Sequence, residues 1–373
     1  MAFTLNYTLL DRCLHRLAFG VPGLQLTAAD LESRLYAAEL RKVTAEHPVF
    51  IASLPRAGTT LLLEVLHRFP VFAAHRYRDM PFVMAPMVWA RLSGAFRKRA
   101  ELAERAHGDG MEIGFDSPEA FEEVLWHAFW PEKYHDGGID LWRAGDGKDE
   151  AAAFFAEHLK KIVALRRPPQ ENGGEAQCGR YLSKNNGNIA RLDLITAMFP
   201  GAKIVIPFRR PLEHAASLLR QHENFLALHD QEPFARRYMA DIGHYEFGAL
   251  HRPIAFPGRA ELAKGRDRQR LDPGGLDYWL AYWIAAFAHI AGRQAGNPER
   301  ILLLSYEDTC AGGRAALADL CARLDVDAGG KLDAAAALFR APSPPRADAR
   351  GADPALVARA MEVEARLRAA VVA

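Results

Sequence analysis

Residues 49–63 read Val-Phe-Ile-Ala-Ser-Leu-Pro-Arg-Ala-Gly-Thr-Thr-Leu-Leu-Leu. An apolar run enters a Pro-Arg-Ala-Gly turn, and a helical pattern follows at once. A strand–loop–helix of this kind leaves unpartnered backbone N–H groups at the helix start, where they and the helix dipole attract an anion. A loop that cradles a nucleoside triphosphate needs Gly, four residues, then Gly-Lys-Ser/Thr. Here Ser53 stands where the first Gly would be, and Thr59 follows Gly58 where the Lys would be. The charge comes instead from Arg56, which offers a bidentate fork, with the hydroxyls of Thr59 and Thr60 beside it.

Three further pieces carry chemistry. Residues 206–219, Ile-Pro-Phe-Arg-Arg-Pro-Leu-Glu-His-Ala-Ala-Ser-Leu-Leu, again end a strand at an arginine, with Ser217 eight residues after Arg209 on the next helix. Arg209 supplies charge and Ser217 a neutral donor, a pair suited to a terminal phosphate. Tyr181-Leu182-Ser183-Lys184-Asn185-Asn186 ends a short strand with a lysine. Leu303-Leu304-Ser305-Tyr306-Glu307-Asp308 ends another strand at a tyrosine.

Pro-Arg-Ala-Gly-Thr-Thr resembles the 5′-phosphosulfate loop of sulfotransferases, bacterial type, that use 3′-phosphoadenosine 5′-phosphosulfate (PAPS). Arg209 and Ser217 have the spacing of that family's 3′-phosphate site, Tyr306-Glu307-Asp308 looks like its strand-end motif whose Tyr lies near adenine, and Lys184 matches a lysine that contacts the transferring sulfuryl group. The likeness covers roughly residues 45–70 and 180–325. It implies that PAPS is a cosubstrate held by Arg56, Ala57, Gly58, Thr59, Thr60, Arg209, Ser217 and Tyr306. It implies that Arg56 and Lys184 serve catalysis without a metal, and that the acceptor is a hydroxyl or amine of a saccharide, glycolipid or small molecule. A P-loop-type small-molecule kinase or NTPase, and a non-catalytic nucleotide-binding protein of the same fold, are the alternatives.

Transfer to a hydroxyl needs a proton acceptor. In the cytosolic small-molecule sulfotransferases a catalytic histidine follows two residues after the lysine; here that position is Asn186, and an amide is no base. Protein tyrosine sulfotransferases carry a similar loop and use a carboxylate a little over twenty residues beyond it. The comparable residue is Asp79, 23 residues past Arg56 and flanked by Arg76 and Arg78. Glu122, Glu123 and His127 are further candidates on one helix, with Glu123 and His127 a turn apart, and His222 is another.

The elements that must hold these groups are legible in the apolar runs. Val49–Leu54, Tyr181–Ser183, Lys203–Phe208 and Ile301–Ser305 read as strands covered on both faces. Helical patterns cover Thr59–Phe69, Ile189–Phe199, Leu212–Leu228, Leu276–Arg293 and Gly313–Leu324. The alternation predicts an α/β fold, a P-loop-like doubly wound parallel sheet flanked by helices, with a helical insertion. One sulfotransferase domain over 1–373 is expected, with a helical extension at 1–45, a helical acceptor insertion at 71–180 and a tail and helix at 340–373. The insertion holds Trp89, Trp126, Trp130 and Trp142, which offer stacking faces for a sugar or an apolar wall. It also predicts a charged helix near Arg97–His107 and a helix start at Asp116-Ser117-Pro118-Glu119. Arg166–Gly179, Lys264–Gly275 and Ala341–Asp353 read as loops and tail.

Composition narrows the setting. Of 373 residues, 50% are hydrophobic and 25% charged, as in ordinary globular proteins, and the net charge of +1 offers nothing to nucleic acid. Cys13, Cys178, Cys310 and Cys321 form no C-x-x-C pair, so buried thiols are expected rather than disulfides or zinc. No apolar stretch reaches the roughly 18 residues of a membrane span. The cytoplasm is the expected compartment, with contact to a membrane surface through the Leu9–Phe19 helix as a second reading.

Overall fold

In the computed structural model the described residues are 9–21, 23–93, 103–104, 112–113, 118, 121–166, 179–259, 262, 272–341 and 351–372. Five strands form the central sheet: β1 (Val49–Ile51), β2 (Phe72–Ala73), β3 (Arg180–Lys184), β4 (Lys203–Phe208) and β5 (Ile301–Ser305). Their order is β2-β3-β1-β4-β5, and every neighbouring pair is parallel. From β1 the chain runs to one side for β2 and β3, then to the other for β4 and β5. The carboxyl end of β1 therefore stands where the winding reverses, the usual crevice for a ligand.

Side chains alternate across the sheet, and each set meets its own helical layer. Val49, Ile51, Leu182, Val205, Leu302 and Leu304 share one core with Leu62, Leu63 and Leu66 of α1 (Thr59–His67) and with Leu317 and Leu320 of α2 (Tyr306–Arg323). Phe50, Tyr181, Ile204, Ile206 and Leu303 belong to the larger core on the other face. There they join Phe155 of the helix Asp149–Arg166, Leu218 of α3 (Pro211–Gln231) and Trp283 and Phe287 of α4 (Leu276–Gly296). This explains why β1 is apolar at every position: all three residues are fully buried.

Several boundaries differ from the sequence expectation. The first strand stops at Ile51, because the chain leaves the sheet to build the loop. The helix expected from Ile189 starts at Leu192, after a 3₁₀ turn at Asn186–Ala190 and a non-helical Arg191. The helix expected from Gly313 starts at Tyr306, capped by Ser305, whose Oγ accepts from the Asp308 N–H, and it kinks at Gly313, where φ is 49°. In place of a helix at Ala103–Glu104, those residues pair antiparallel with Glu112–Ile113; the rest of 97–107 lies outside the described residues. Pro118 bridges Arg76, while Asp116 and Ser117, most of the Arg166–Gly179 loop, residues 264–271 and 342–350, and Cys178 also lie outside them.

Trp126, Trp130 and Trp142 are core residues. The Arg191 guanidinium sits over the Trp126 ring at 4.7 Å and over Trp142 at 4.4 Å. They brace a buried ion pair, Arg191 Nη2 to Glu123 Oε1 at 2.8 Å, and offer no acceptor wall. Cys310 and Cys321 are buried and Cys13 exposed. No helix among the described residues is long and apolar enough to cross a membrane.

Burial pushes His214 down to about 3, and His67 and His289 down to about 4, from an ordinary 6.5. An unfolded histidine takes a proton near pH 6.5 that these three refuse in the fold. Their contribution to stability is therefore complete above pH 6.5 and is lost as pH falls from 6.5 toward 4. The unfolding free energy from urea titration, and the midpoint with it, should be level above about pH 7 and decline below it, the free energy by at most about 1.4 kcal/mol per pH unit per histidine. A midpoint still level at about pH 4.5 would contradict this reading.

Candidate functional site

The site begins with the backbone of the loop after β1. Ser53 Oγ donates to the Pro207 carbonyl at 2.6 Å, tying the loop to β4. Arg56 adopts a positive φ of 69° and Gly58 one of 94°, so the chain turns sharply into α1. A side chain at Gly58 would be strained by φ and would also run into the Tyr306 ring. Gly58 is thus needed twice, and Tyr306 closes over the loop. The first N–H groups of α1 have no partner within the helix.

Parallel register brings the other groups alongside. Ile51 pairs with Lys184 and with Val205, and Phe208 pairs with Ser305, so Arg209 and Tyr306 follow paired positions. Arg209 Nη1 donates to the Arg56 carbonyl at 3.0 Å, and its guanidinium lies 4.9 Å from the Tyr306 ring centre. Arg56 Nε donates to Ser217 Oγ at 3.4 Å. Arg209 Nε is buried without a hydrogen-bond partner among the described residues. Arg56, Gly58, Arg209, Ser217 and Tyr306 therefore meet, although they span more than 240 residues of sequence. Thr59 is buried and Thr60 partly exposed at the start of α1, after a buried Ala57.

His214 holds this arrangement from behind. Its Nε2 donates to the Pro55 carbonyl at 2.7 Å, which leaves Nδ1 to accept from Trp283 Nε1 at 3.1 Å. Burial above all, with Arg209 and Arg56 nearby, keeps the ring neutral, as that pair of bonds requires. His214 falls inside the second motif, but no spacing in the sequence marked it.

Lys184 ends β3 and lines an open cavity beside the loop. Leu54 and Pro55 form its rim on the loop side. Tyr245, Trp279 and Tyr282 supply the aromatic wall, and His244, Glu246 and Arg252 the polar one. Among the described residues of 71–180 only Glu123 and Ile139 reach the lining. Half of the lining comes from 243–254 and α4; the sequence reading gave 243–254 no role and marked Leu276–Arg293 only as a helix.

The residues weighed as bases are mostly committed elsewhere. Asp79 is 1% exposed and accepts from Arg166 Nη2 with both oxygens, from the Arg76 N–H at 2.9 Å and from His75 at 3.2 Å. Burial alone would raise its pKa; the His75 hydrogen bond and the Arg166 charge outweigh that and hold it below the usual carboxylate value. It lies outside the cavity lining, so the geometry is that of a structural anchor, and the expected role as base is withdrawn. Glu122 is buried and accepts from Trp126 at 2.8 Å, Asn188 at 3.0 Å and Tyr181 at 3.1 Å. Glu123 lines the cavity but is 4% exposed and bound by Arg191, by Tyr134 and by Asn185 at 2.6 Å. Burial would raise its pKa, but Arg191 and these hydrogen bonds hold it down. His127 is exposed and outside the lining. His222 is buried, accepts from the Gly248 N–H at 3.2 Å and also lies outside the lining. Among the described residues no cluster of three His, Cys, Asp or Glu is set to hold a metal ion.

Comparison with curated proteins gives no match. Among solved structures, sulfotransferase STF1 from Mycobacterium tuberculosis H37Rv aligns at 12% identity over 97% of this chain and 87% of that one, with a TM-score of 0.48. Sulfotransferase STF9 from Mycobacterium avium aligns at 13% identity over 90% and 77%, with a TM-score of 0.48. The model of the Sulfotransferase family matches residues 48–252. That span is more than half of the 373 residues and runs from the first residues before β1, through the loop, Lys184, Arg209 and Ser217, to Arg252. The chain belongs to the Sulfotransferase family.

Proposed function

We propose that this sulfotransferase takes PAPS as donor at the loop after β1 and moves its sulfuryl group to a hydroxyl, or an amine, of an acceptor in the adjoining cavity. The observation that carries the reading is the meeting of Arg56, Arg209, Ser217 and Tyr306 over the start of α1. Two arginines and unpartnered backbone N–H groups suit two anionic ends, and the buried Arg209 Nε still has a bond to give. Tyr306 offers a ring beside them that can meet a base. The donor brings an activated sulfuryl group; the chain supplies fixed charge. Arg56 and Lys184 would stabilise negative charge developing on the sulfuryl oxygens and the departing phosphate, as preorganised donors do in phosphoryl transfer. The Tyr245, Trp279 and Tyr282 wall suits an acceptor with a flat apolar face, which a saccharide, a glycolipid and a lipid-like alcohol all have.

The donor assignment is tested by thermal unfolding. 3′-Phosphoadenosine 5′-phosphate (PAP) at about a hundred times its Kd should stabilise the fold by about 2.7 kcal/mol. ATP with magnesium should do far less, since no Walker lysine is present. A larger shift with ATP–magnesium would favour the kinase reading instead. Arg209→Ala and Ser217→Ala should weaken PAP binding by roughly tenfold to a hundredfold, the worth of one charge-assisted bond, while turnover at saturating donor persists.

Arg56→Ala and Lys184→Ala should instead lower kcat by about 10²–10³. Asp79→Asn should act on stability, by about 3–5 kcal/mol, because it leaves Arg166 buried and unpaired. Turnover of the folded fraction should stay near that of the parent. Loss of kcat with stability unchanged would return Asp79 to the reacting centre.

A further inference from the structure

Glu246 is a carboxylate that the site leaves at work's edge in the right place. It lines the cavity that Lys184 also lines, and it is partly exposed. Among the described residues two carboxylates line the cavity, Glu123 and Glu246. Glu123 spends both oxygens on Arg191, Tyr134 and Asn185. Glu246 accepts, at Oε1, a hydrogen bond of 2.9 Å from Asn186 Nδ2, and Oε2 has no hydrogen-bond partner among the described residues. Asn186 in turn accepts at Oδ1 from Thr59 Oγ1, at 3.5 Å, on the first turn of α1. Three side chains thus run from the anion loop to a carboxylate in the cavity.

The backbone under Glu246 is fixed. Its carbonyl accepts from His251 Nδ1 at 2.7 Å, and His251 Nε2 meets the Tyr278 hydroxyl at 2.6 Å. Phe247 beside it is buried, and Gly248 then turns the chain with φ of 66°. A carboxylate on a held backbone, lining the cavity and with one oxygen oriented, is placed to take a proton from a bound hydroxyl.

We propose that Glu246 is the proton acceptor of the transfer and that Asn186 positions it; this rests on the donor reading given above. The acceptor oxygen forms its bond to sulfur while the bond from sulfur to the donor's bridging phosphate oxygen breaks, and that oxygen keeps the electron pair. The acceptor proton passes to Glu246 and from there to solvent. Asn186 contributes an N–H that keeps Oε1 aimed, so the amide has a role that needs no basicity.

The test uses the full chain and its Glu246→Gln, Glu246→Asp and Asn186→Ala variants. PAP release from PAPS is followed with water or 2-naphthol as acceptor, and the melting shift with PAP is measured separately. Glu246→Gln should lower kcat by about 10²–10⁴, the usual share of a general base, with the PAP shift unchanged. Glu246→Asp keeps the chemistry at a shorter reach and should recover part of that loss. Asn186→Ala should fall between the parent and the Gln variant. Turnover of Glu246→Gln within a few-fold of the parent, with the PAP shift intact, would overturn the proposal, as would equal loss in the Gln and Asp variants. Absence of a PAP shift in the parent would count against the donor reading, not against Glu246.

Discussion

Parallel register is the constraint on which the rest of this structure depends. Because β3, β1, β4 and β5 run the same way and pair level, their carboxyl ends deliver Lys184, the anion loop, Arg209 and Tyr306 to one edge. Lys184 is the last residue of β3, and Arg209 and Tyr306 directly follow β4 and β5. A slip of one residue in β5 would move Tyr306 away from Gly58 and turn Leu303 from one core to the other. The hydrophobic alternation that buries both faces of the sheet therefore also sets the geometry of the site.

Behind that edge lies a polar core whose carboxylate oxygens all accept hydrogen bonds. Glu122 and Glu123 gather Trp126, Asn188, Tyr181, Arg191, Tyr134 and Asn185, residues from the helix Glu123–Phe129, the short strand Tyr134–His135, β3 and the turn after it. Taking such charges out of water is costly, and the cost is offset here by the bonds to all four carboxylate oxygens and by the Trp126 and Trp142 rings, over which the Arg191 guanidinium lies. Asn185 is the link to the site: it follows Lys184, donates to Glu123 and caps the 3₁₀ turn by accepting from the Gly187 N–H at 2.9 Å. The network therefore fixes where Lys184 and Asn186 stand. A carboxylate that serves this purpose has no oxygen left for chemistry, which separates Glu122, Glu123 and Asp79 from Glu246.

The loop is held by the same logic on its other side. Ser53 binds β4, and His214 links Pro55 to Trp283 on α4. Neutral His214 is the right tool there, since it donates at one nitrogen and accepts at the other while adding no charge beside two arginines. The tryptophans of the middle segment serve packing around Arg191, whereas the cavity's aromatic wall is built from residues far along the chain.

What the sequence by itself determined is local. Strand-ending arginines, a Gly-Thr-Thr helix start and apolar runs that alternate with helical patterns are contiguous signals, because backbone conformation and helix capping depend on near neighbours. They were enough for the α/β sheet and for the residues gathered at the anion loop. The tertiary structure alone decided which side chains spend their hydrogen bonds on one another. Asp79 and Glu246 look alike in the sequence, each an acid in a mixed stretch; one meets Arg166 and His75 in the interior, and the other faces a cavity closed by α4. That difference is a matter of long-range partners and of solvent, and no spacing along the chain encodes it.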